Sequence, residues 1–191
     1  MTTGNKTRCG WVSTDPLYID YHDNEWGVPV LDEQQLFEAL VLDGMQAGLS
    51  WITILKRREN YRRSFDEFDP HKIIQYDQDK IHQLLNDTGI IRNKLKIQSV
   101  ITNAHAYLET KEKWGNFADY IWHFVDGKPI KNRWGTLEQV PSSSIISDAM
   151  AKDMKARGFK FVGTTICYAF MQAKGLINDH ITTCFRHDHS A

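Results

Sequence analysis

The 191-residue chain is 41% hydrophobic and 25% charged, with a formal net charge of −1. These values suit a single globular domain, in one or two helical lobes, and exclude a polyelectrolyte, so any nucleic-acid contact must come from local basic patches. No apolar run reaches membrane-spanning length, and Cys9, Cys167 and Cys184 form an odd, sparse set that argues against a disulfide framework.

Residues 1–8 read as a disordered lead-in without an apolar segment, which sets the expectation of a cytoplasmic chain. The folded domain is expected over 9–185, with 186–191 as a tail. Asp15-Pro16 is a helix start, with aspartate as cap and proline at the first helical position. Tyr18, Tyr21 and His22 follow at a spacing that lets them share a face. Asp32 opens the next helix, with Gln35 placed for a capping box and Leu36, Phe37, Leu40 and Val41 as its apolar stripe. That helix carries Asp43 to its C-terminal end, where the dipole is itself negative. Gly44 is expected to end it, and Ser50 to cap the following one. From Ser50 one helix is predicted, apolar through Leu55 and then basic at Lys56, Arg57, Arg58, Arg62 and Arg63.

Asp69-Pro70 repeats the start signal, and Asp77 caps a helix that turns Ile81, Leu84 and Leu85 inward. One helix stops at Gly89 and another begins within a few residues, lined by Leu95, Ile97, Val100, Ile101 and Leu108. A further helix is expected near 117–124. Residues 126–147 read as a long connection with little regular structure. Ser147 is expected to cap a helix ending at Gly158, and 159–162 to form a short strand. Thr164 or Thr165 starts a last apolar helix through Ala173, ended by Gly175. The pattern is all-α, with several helix-turn-helix corners.

Three constellations carry chemistry. Cys9 and His22 near one end, and His180 and Cys184 near the other, form two ligand pairs, the second at the spacing of one helical turn. Two thiolates and two imidazoles suit tetrahedral zinc and fill its coordination, so such a site is structural and clips the chain ends together. The alternative is two unrelated cysteines with surface histidines. His187 and His189 read as tail, and Cys167 as core. The corner Thr88-Gly-Ile-Ile-Arg92 resembles the helix-hairpin-helix element of DNA-binding enzymes, with one of its usual two glycines. Backbone N–H groups at its new helix start can hold a phosphate oxygen, and Arg92, Lys94 and Lys96 add charge. An ordinary helical hairpin has the same pattern. Finally, the stretch 42–51 presents a carboxylate, the small apolar finger Leu49 and the aromatic Trp51. Together with Trp11, Tyr18, Tyr21 and Trp26 these are parts for receiving a flipped-out base. They equally suit a tight helix corner over a buried tryptophan.

Taken together, several motifs resemble the 3-methyladenine DNA glycosylase I family over about Cys9 to Cys184. They are Cys9-Gly-Trp-Val, Asp15-Pro-Leu-Tyr, Tyr21-His-Asp-Asn-Glu-Trp-Gly27, Gln46-Ala-Gly-Leu-Ser-Trp51, Gly89-Ile-Ile-Arg92, Gly158-Phe-Lys-Phe-Val-Gly-Thr-Thr165 and Asn178-Asp-His180. The resemblance implies an all-α helix-hairpin-helix glycosylase that acts on alkylated double-stranded DNA as a monomer. It implies hydrolysis of the N-glycosidic bond to release free 3-methyladenine, with no lyase step. It implies zinc on Cys9, His22, His180 and Cys184, and a base pocket of Trp11, Tyr18, Tyr21, Asp43 and Trp51, with Tyr21 and Asp43 as catalytic residues. Gly48 and Leu49 match the turn that fills the gap in the duplex, and Gly89, Arg92 and Lys94 the hairpin contacts to DNA. One position departs: the family's pocket carboxylate is typically glutamate, and here it is Asp43.

Two other functions fit parts of the pattern. A zinc-stapled nucleic-acid-binding domain without catalysis shares the hairpin, the basic patches and the metal, but does not need Asp43 among aromatics. A zinc base deaminase needs an open metal position, which two cysteines and two histidines do not leave.

Overall fold

The computed structural model describes residues 6–188. Its helices are α1 (Pro16–Asn24), α2 (Glu33–Gln46), α3 (Trp51–Leu55), α4 (Arg58–Ser64), α5 (Pro70–Ile73), α6 (Gln78–Asn86), α7 (Lys94–Trp114), α8 (Phe117–Trp122), α9 (Ile145–Ala156) and α10 (Thr164–Ala173). Four of them start as their sequences dictate. Asp15, Asp32, Asp69 and Asp77 each accept a backbone N–H of the first turn, at 2.8 to 3.0 Å. Prolines follow Asp15 and Asp69 at positions whose N–H has no helical partner.

Other boundaries differ from the sequence expectation. Gly44 lies inside α2, which runs on to Gln46, and the left-handed turn falls to Gly48 at φ +79°. Gly44 is instead a close-approach site: a Cβ there would stand 3.3 Å from Phe161 Cβ. Ser50 occupies the cap position of α3, but its hydroxyl bonds the Thr53 hydroxyl at 2.7 Å rather than a backbone N–H. The predicted helix from Ser50 breaks at Lys56–Arg57 into α3 and α4. Ser144, not Ser147, caps α9; Ser147 closes the capping box from its third position and is fully buried. Residues 159–162 form no strand, and Phe161 sits at φ +56°. The long connection does hold β1 (Ile130–Lys131), which pairs in parallel with β2 (Ile177–Asn178), and a short 3-10 turn over Leu137–Gln139.

The main core is built on α2, whose Leu36, Phe37, Leu40 and Met45 are buried against α7, α8 and α10. A second apolar cluster gathers Cys9, Tyr21, Trp26, Leu55, Ala173 and Cys184, and half-buried Trp51 touches both. The chain ends are tied down. Arg8 makes a two-pronged ion pair to Asp23 at 2.8 and 2.7 Å, and Phe185 N–H donates to Thr7 O at 2.9 Å. His187 is buried and its carbonyl accepts from Asn178, so order reaches into both the expected lead-in and the expected tail. Residues 1–5 and His189 lie outside the described residues. Among the described residues, no helix is long and apolar enough to cross a membrane.

Candidate active site

A cavity of about 350 Å³ opens where α1, α2, α3 and α10 meet. Helical spacing on α1 brings Tyr18 and Tyr21 to one wall. Trp11 packs across them at ring-centroid distances of 5.0 and 6.4 Å, and Trp51 from the start of α3 stands 5.4 Å from Tyr21. Trp26 closes the end, 5.1 Å from Trp11. Leu137 and Val140 cover the cavity from the long connection. All five aromatic and acidic residues expected to hold a base, Trp11, Tyr18, Tyr21, Asp43 and Trp51, line this one space.

Two carboxylates face the cavity, and their surroundings separate their uses. Asp179 is 2% exposed and saturated. Asn132 and Trp134 donate to its Oδ1 at 2.7 Å, while Tyr168 and Gln172 donate to its Oδ2 at 2.6 and 2.7 Å. It binds the long connection to α10 and has no capacity left. Asp43 is 3% exposed, yet among the described residues its Oδ2 has no hydrogen-bond partner. Burial pushes its carboxyl up to about 7, against the opposing pull of the Lys174 charge. The Trp51 Nε1–H is buried and unpartnered as well. A buried polar group without a partner costs stability, so an unpaired acceptor and an unpaired donor on one cavity are places where a ligand restores what folding gave up. Tyr21 is fully protonated at neutral pH, because burial, and then the Asp43 charge, raise its phenol well above the usual range.

Behind Trp26 lies the second expected site. Ligand atoms of Cys9, His22, His180 and Cys184, all buried, lie within 4.8 Å of one another. Cys9 Sγ and Cys184 Sγ each stand 3.5 Å from His180 Nδ1, and Cys184 Sγ is 3.5 Å from His22 Nε2. His22 Nδ1 bonds Asp23 Oδ1 at 2.8 Å, and His180 Nε2 faces Trp26 O at 3.2 Å, so each imidazole is oriented by its other nitrogen. As a hydrogen-bonded pair, the thiols push Cys9 up and pull Cys184 down. This donor set, closed and oriented, fits a metal ion. Cys167 is buried in α10, as expected for a core residue.

Residues expected at a DNA surface do lie outside the core, with one exception. Gly48 and Leu49 form the turn between α2 and α3, with Leu49 39% exposed and, among the described residues, open space where a Gly48 Cβ would stand. Arg92 and Lys94 are exposed at the α6–α7 corner, where the Gly89 N–H is taken by Asp87 Oδ1 at 2.7 Å. Lys96 does not join them. It is buried, and its Nζ donates to the Met45 and Ala47 carbonyls at 2.7 and 2.6 Å, anchoring the end of α2. Leu95, expected inside, is 70% exposed. Asp179 enters the sequence reading only inside the Asn178-Asp-His180 motif, and Lys174, which shares a small cavity with Asp43, has no sequence signal of its own.

A helical domain with a base-sized aromatic cavity and one unpaired acid is the frame of a base-recognising enzyme. The methyladenine glycosylase family model matches residues 11–187, and the chain belongs to that family. It is 55% identical to DNA-3-methyladenine glycosylase 1 of Escherichia coli (strain K12) over 177 residues, 93% of this chain and 95% of that one. It is 49% identical to a DNA-3-methyladenine glycosylase of Haemophilus influenzae, covering 93% and 96%. A crystal structure of a 3-methyladenine DNA glycosylase I superposes with a TM-score of 0.92 at 58% identity, covering 95% of this chain and 100% of that one. The Staphylococcus aureus enzyme, whose structure concerns 3-methyladenine recognition, superposes with a TM-score of 0.92 at 33% identity over 96% and 98%.

Proposed function

We propose that this chain excises 3-methyladenine from alkylated double-stranded DNA, hydrolysing the N-glycosidic bond and leaving an abasic site without a lyase step. The observation that carries this is the buried, unpartnered Asp43 Oδ2 in the wall of an aromatic cavity. Alkylation at N3 makes adenine a cation and weakens its glycosidic bond. A flipped cationic ring gains from the faces of Trp11, Tyr18, Tyr21 and Trp51 and from the Asp43 carboxylate, which a neutral base does not. Asp43 accepts from the exocyclic amino group and opposes the ring's charge. Tyr21, held protonated, fixes the ring beside it. The damaged base is already activated, so binding it and admitting water supply much of the rate.

In this reading the α6–α7 corner is a helix-hairpin-helix element that holds the backbone through Gly89, Arg92 and Lys94, and Leu49 on the Gly48 turn fills the space left in the duplex. The metal is zinc, held by Cys9, His22, His180 and Cys184. Separations of 3.5 Å match the edges of a tetrahedron with bonds of roughly 2.0–2.3 Å. Zinc there supplies a structural cross-link between the chain ends. The protein acts as a monomer in the cytoplasm, where cysteines outside disulfides, such as its three, persist. The test is incubation with methylated duplex DNA and identification of the released base. Free 3-methyladenine is expected; DNA binding without base release would favour the zinc-stapled binding domain instead.

A further inference from the structure

Asp43 lines two spaces. Beside the aromatic cavity, and sharing Tyr21, Asp43 and Trp51 with it, lies a small chamber of about 20 Å³ that Glu38, Leu42, Arg58 and Lys174 also line. A space of that size accommodates one water. Lys174 caps the C-terminus of α10, where its backbone N–H bonds Phe170 O and its carbonyl accepts from Val30. Those bonds fix its backbone, and the residue lines the chamber.

The other charges that face this point are already matched. Arg58 from α4 forms a two-pronged ion pair to Glu25 beyond the end of α1, at 2.5 and 2.9 Å. Arg62, also on α4, pairs with Glu38 of α2 at 2.8 Å. From α7, Lys96 spends its ammonium on the α2 carbonyls. From α10, Cys167 is buried, and burial raises its thiol to about 12. Tyr21 from α1 stays protonated. Lys174 makes no side-chain hydrogen bond or ion pair among the described residues.

We propose that Lys174 is a positioning residue for the excision reaction: its ammonium, through a water in the small chamber, holds the Asp43 carboxylate charged and turned toward the base. This rests on the reading of the aromatic cavity as the base site. The charge balance supports it from both partners. Asp43 is raised by burial and held down by Lys174. Lys174 is lowered by burial and pushed back up first by Asp43, then by Glu25 and Glu38. A cation that lines the small chamber and not the aromatic cavity keeps the acid ionised without competing for the space that the alkylated base occupies. A cation inside the aromatic cavity would repel that base.

The experiment follows the Asp43 carboxyl directly, by carbon NMR titration of aspartate-labelled protein, in the parent, Lys174→Met and Lys174→Arg. The Asp43 midpoint is expected to rise in Lys174→Met and to stay near the parent value in Lys174→Arg. Excision of 3-methyladenine by the same proteins is then measured from pH 6 to 9. A one-unit rise in the midpoint lowers the ionised fraction about tenfold at pH 6 and little at pH 9. The acidic limb of the Lys174→Met profile should therefore move up, with the parent rate recovered at alkaline pH and unchanged in Lys174→Arg. An Asp43 midpoint that is the same in the parent and Lys174→Met overturns the proposal whatever the excision result. A parent that releases no base, while its Asp43 still responds to Lys174, overturns the glycosylase reading instead and leaves the electrostatic link standing.

Discussion

Replacing Asp43 by asparagine removes a charge and keeps the shape. A carboxylate about 4–5 Å from a stacked cation, at an effective dielectric of about 20, contributes roughly 3–4 kcal/mol. The parent carboxyl titrates at about 7, so it is half ionised there and about nine-tenths ionised one unit higher. At pH 8, Asp43→Asn should therefore lower excision of 3-methyladenine at sub-saturating enzyme by on the order of a hundredfold or more. Below pH 6 the parent loses its own charge and the gap should narrow. Stability should move the other way. The folded value lies above the ordinary 3.8 of an unfolded aspartate, so between about pH 4 and 7 the folded chain holds a proton that the unfolded chain has released. Stability falls as pH rises through that window and is level above it. The rise from 3.8 to about 7 corresponds to about 4 kcal/mol at most. Asparagine carries no such penalty, so the variant should melt at or above the parent at pH 8 while excising far more slowly. Asp43→Glu, which restores the reach of the family's usual side chain, should match or exceed the parent. Single-turnover excision and melting curves of the three proteins at pH 6 and 8 decide the matter. If Asp43→Asn excises at the parent rate at pH 8, the carboxylate does not read the base.

Purified protein should carry one zinc per chain, and Cys184→Ser should lower stability by on the order of several kcal/mol while folded molecules still excise; metal-free protein with unchanged melting would refute this. Leu49→Ala should slow excision from duplex DNA about tenfold with affinity for free 3-methyladenine unchanged, because only an inserted side chain acts on the duplex alone; equal losses in both assays would make Leu49 a packing residue. Gly175→Ala should destabilise by more than about 2 kcal/mol in a denaturant melt, since Gly175 sits at φ +73° and a Cβ there would stand 2.5 Å from the Val28 carbonyl carbon; a variant as stable as the parent would mean that this backbone contact yields freely.

What the sequence determined by itself is what depends on neighbours within a turn or two. The aspartate caps at Asp15, Asp32, Asp69 and Asp77 are local hydrogen bonds, so they are legible as spacing. The pairing of Tyr18 with Tyr21 is legible for the same reason, and the two cysteine–histidine pairs by the chemistry of their donors. The tertiary structure decided whatever depends on partners from afar. Gly44 looks like a helix stop, yet Phe161 presses on it and makes it a packing glycine, so the stop moves to Gly48. Lys96 looks like a phosphate ligand until the end of α2 arrives and takes its three-donor head. Nothing local distinguishes the two cavity acids. Asp179 is silenced by four donors from two segments, while Asp43 is buried with none on its Oδ2 and shares a small chamber with Lys174. A cap is a hydrogen bond across a few residues and is written in their order. The cost and use of a buried charge depend on every element that surrounds it, and that exists only once the chain has folded.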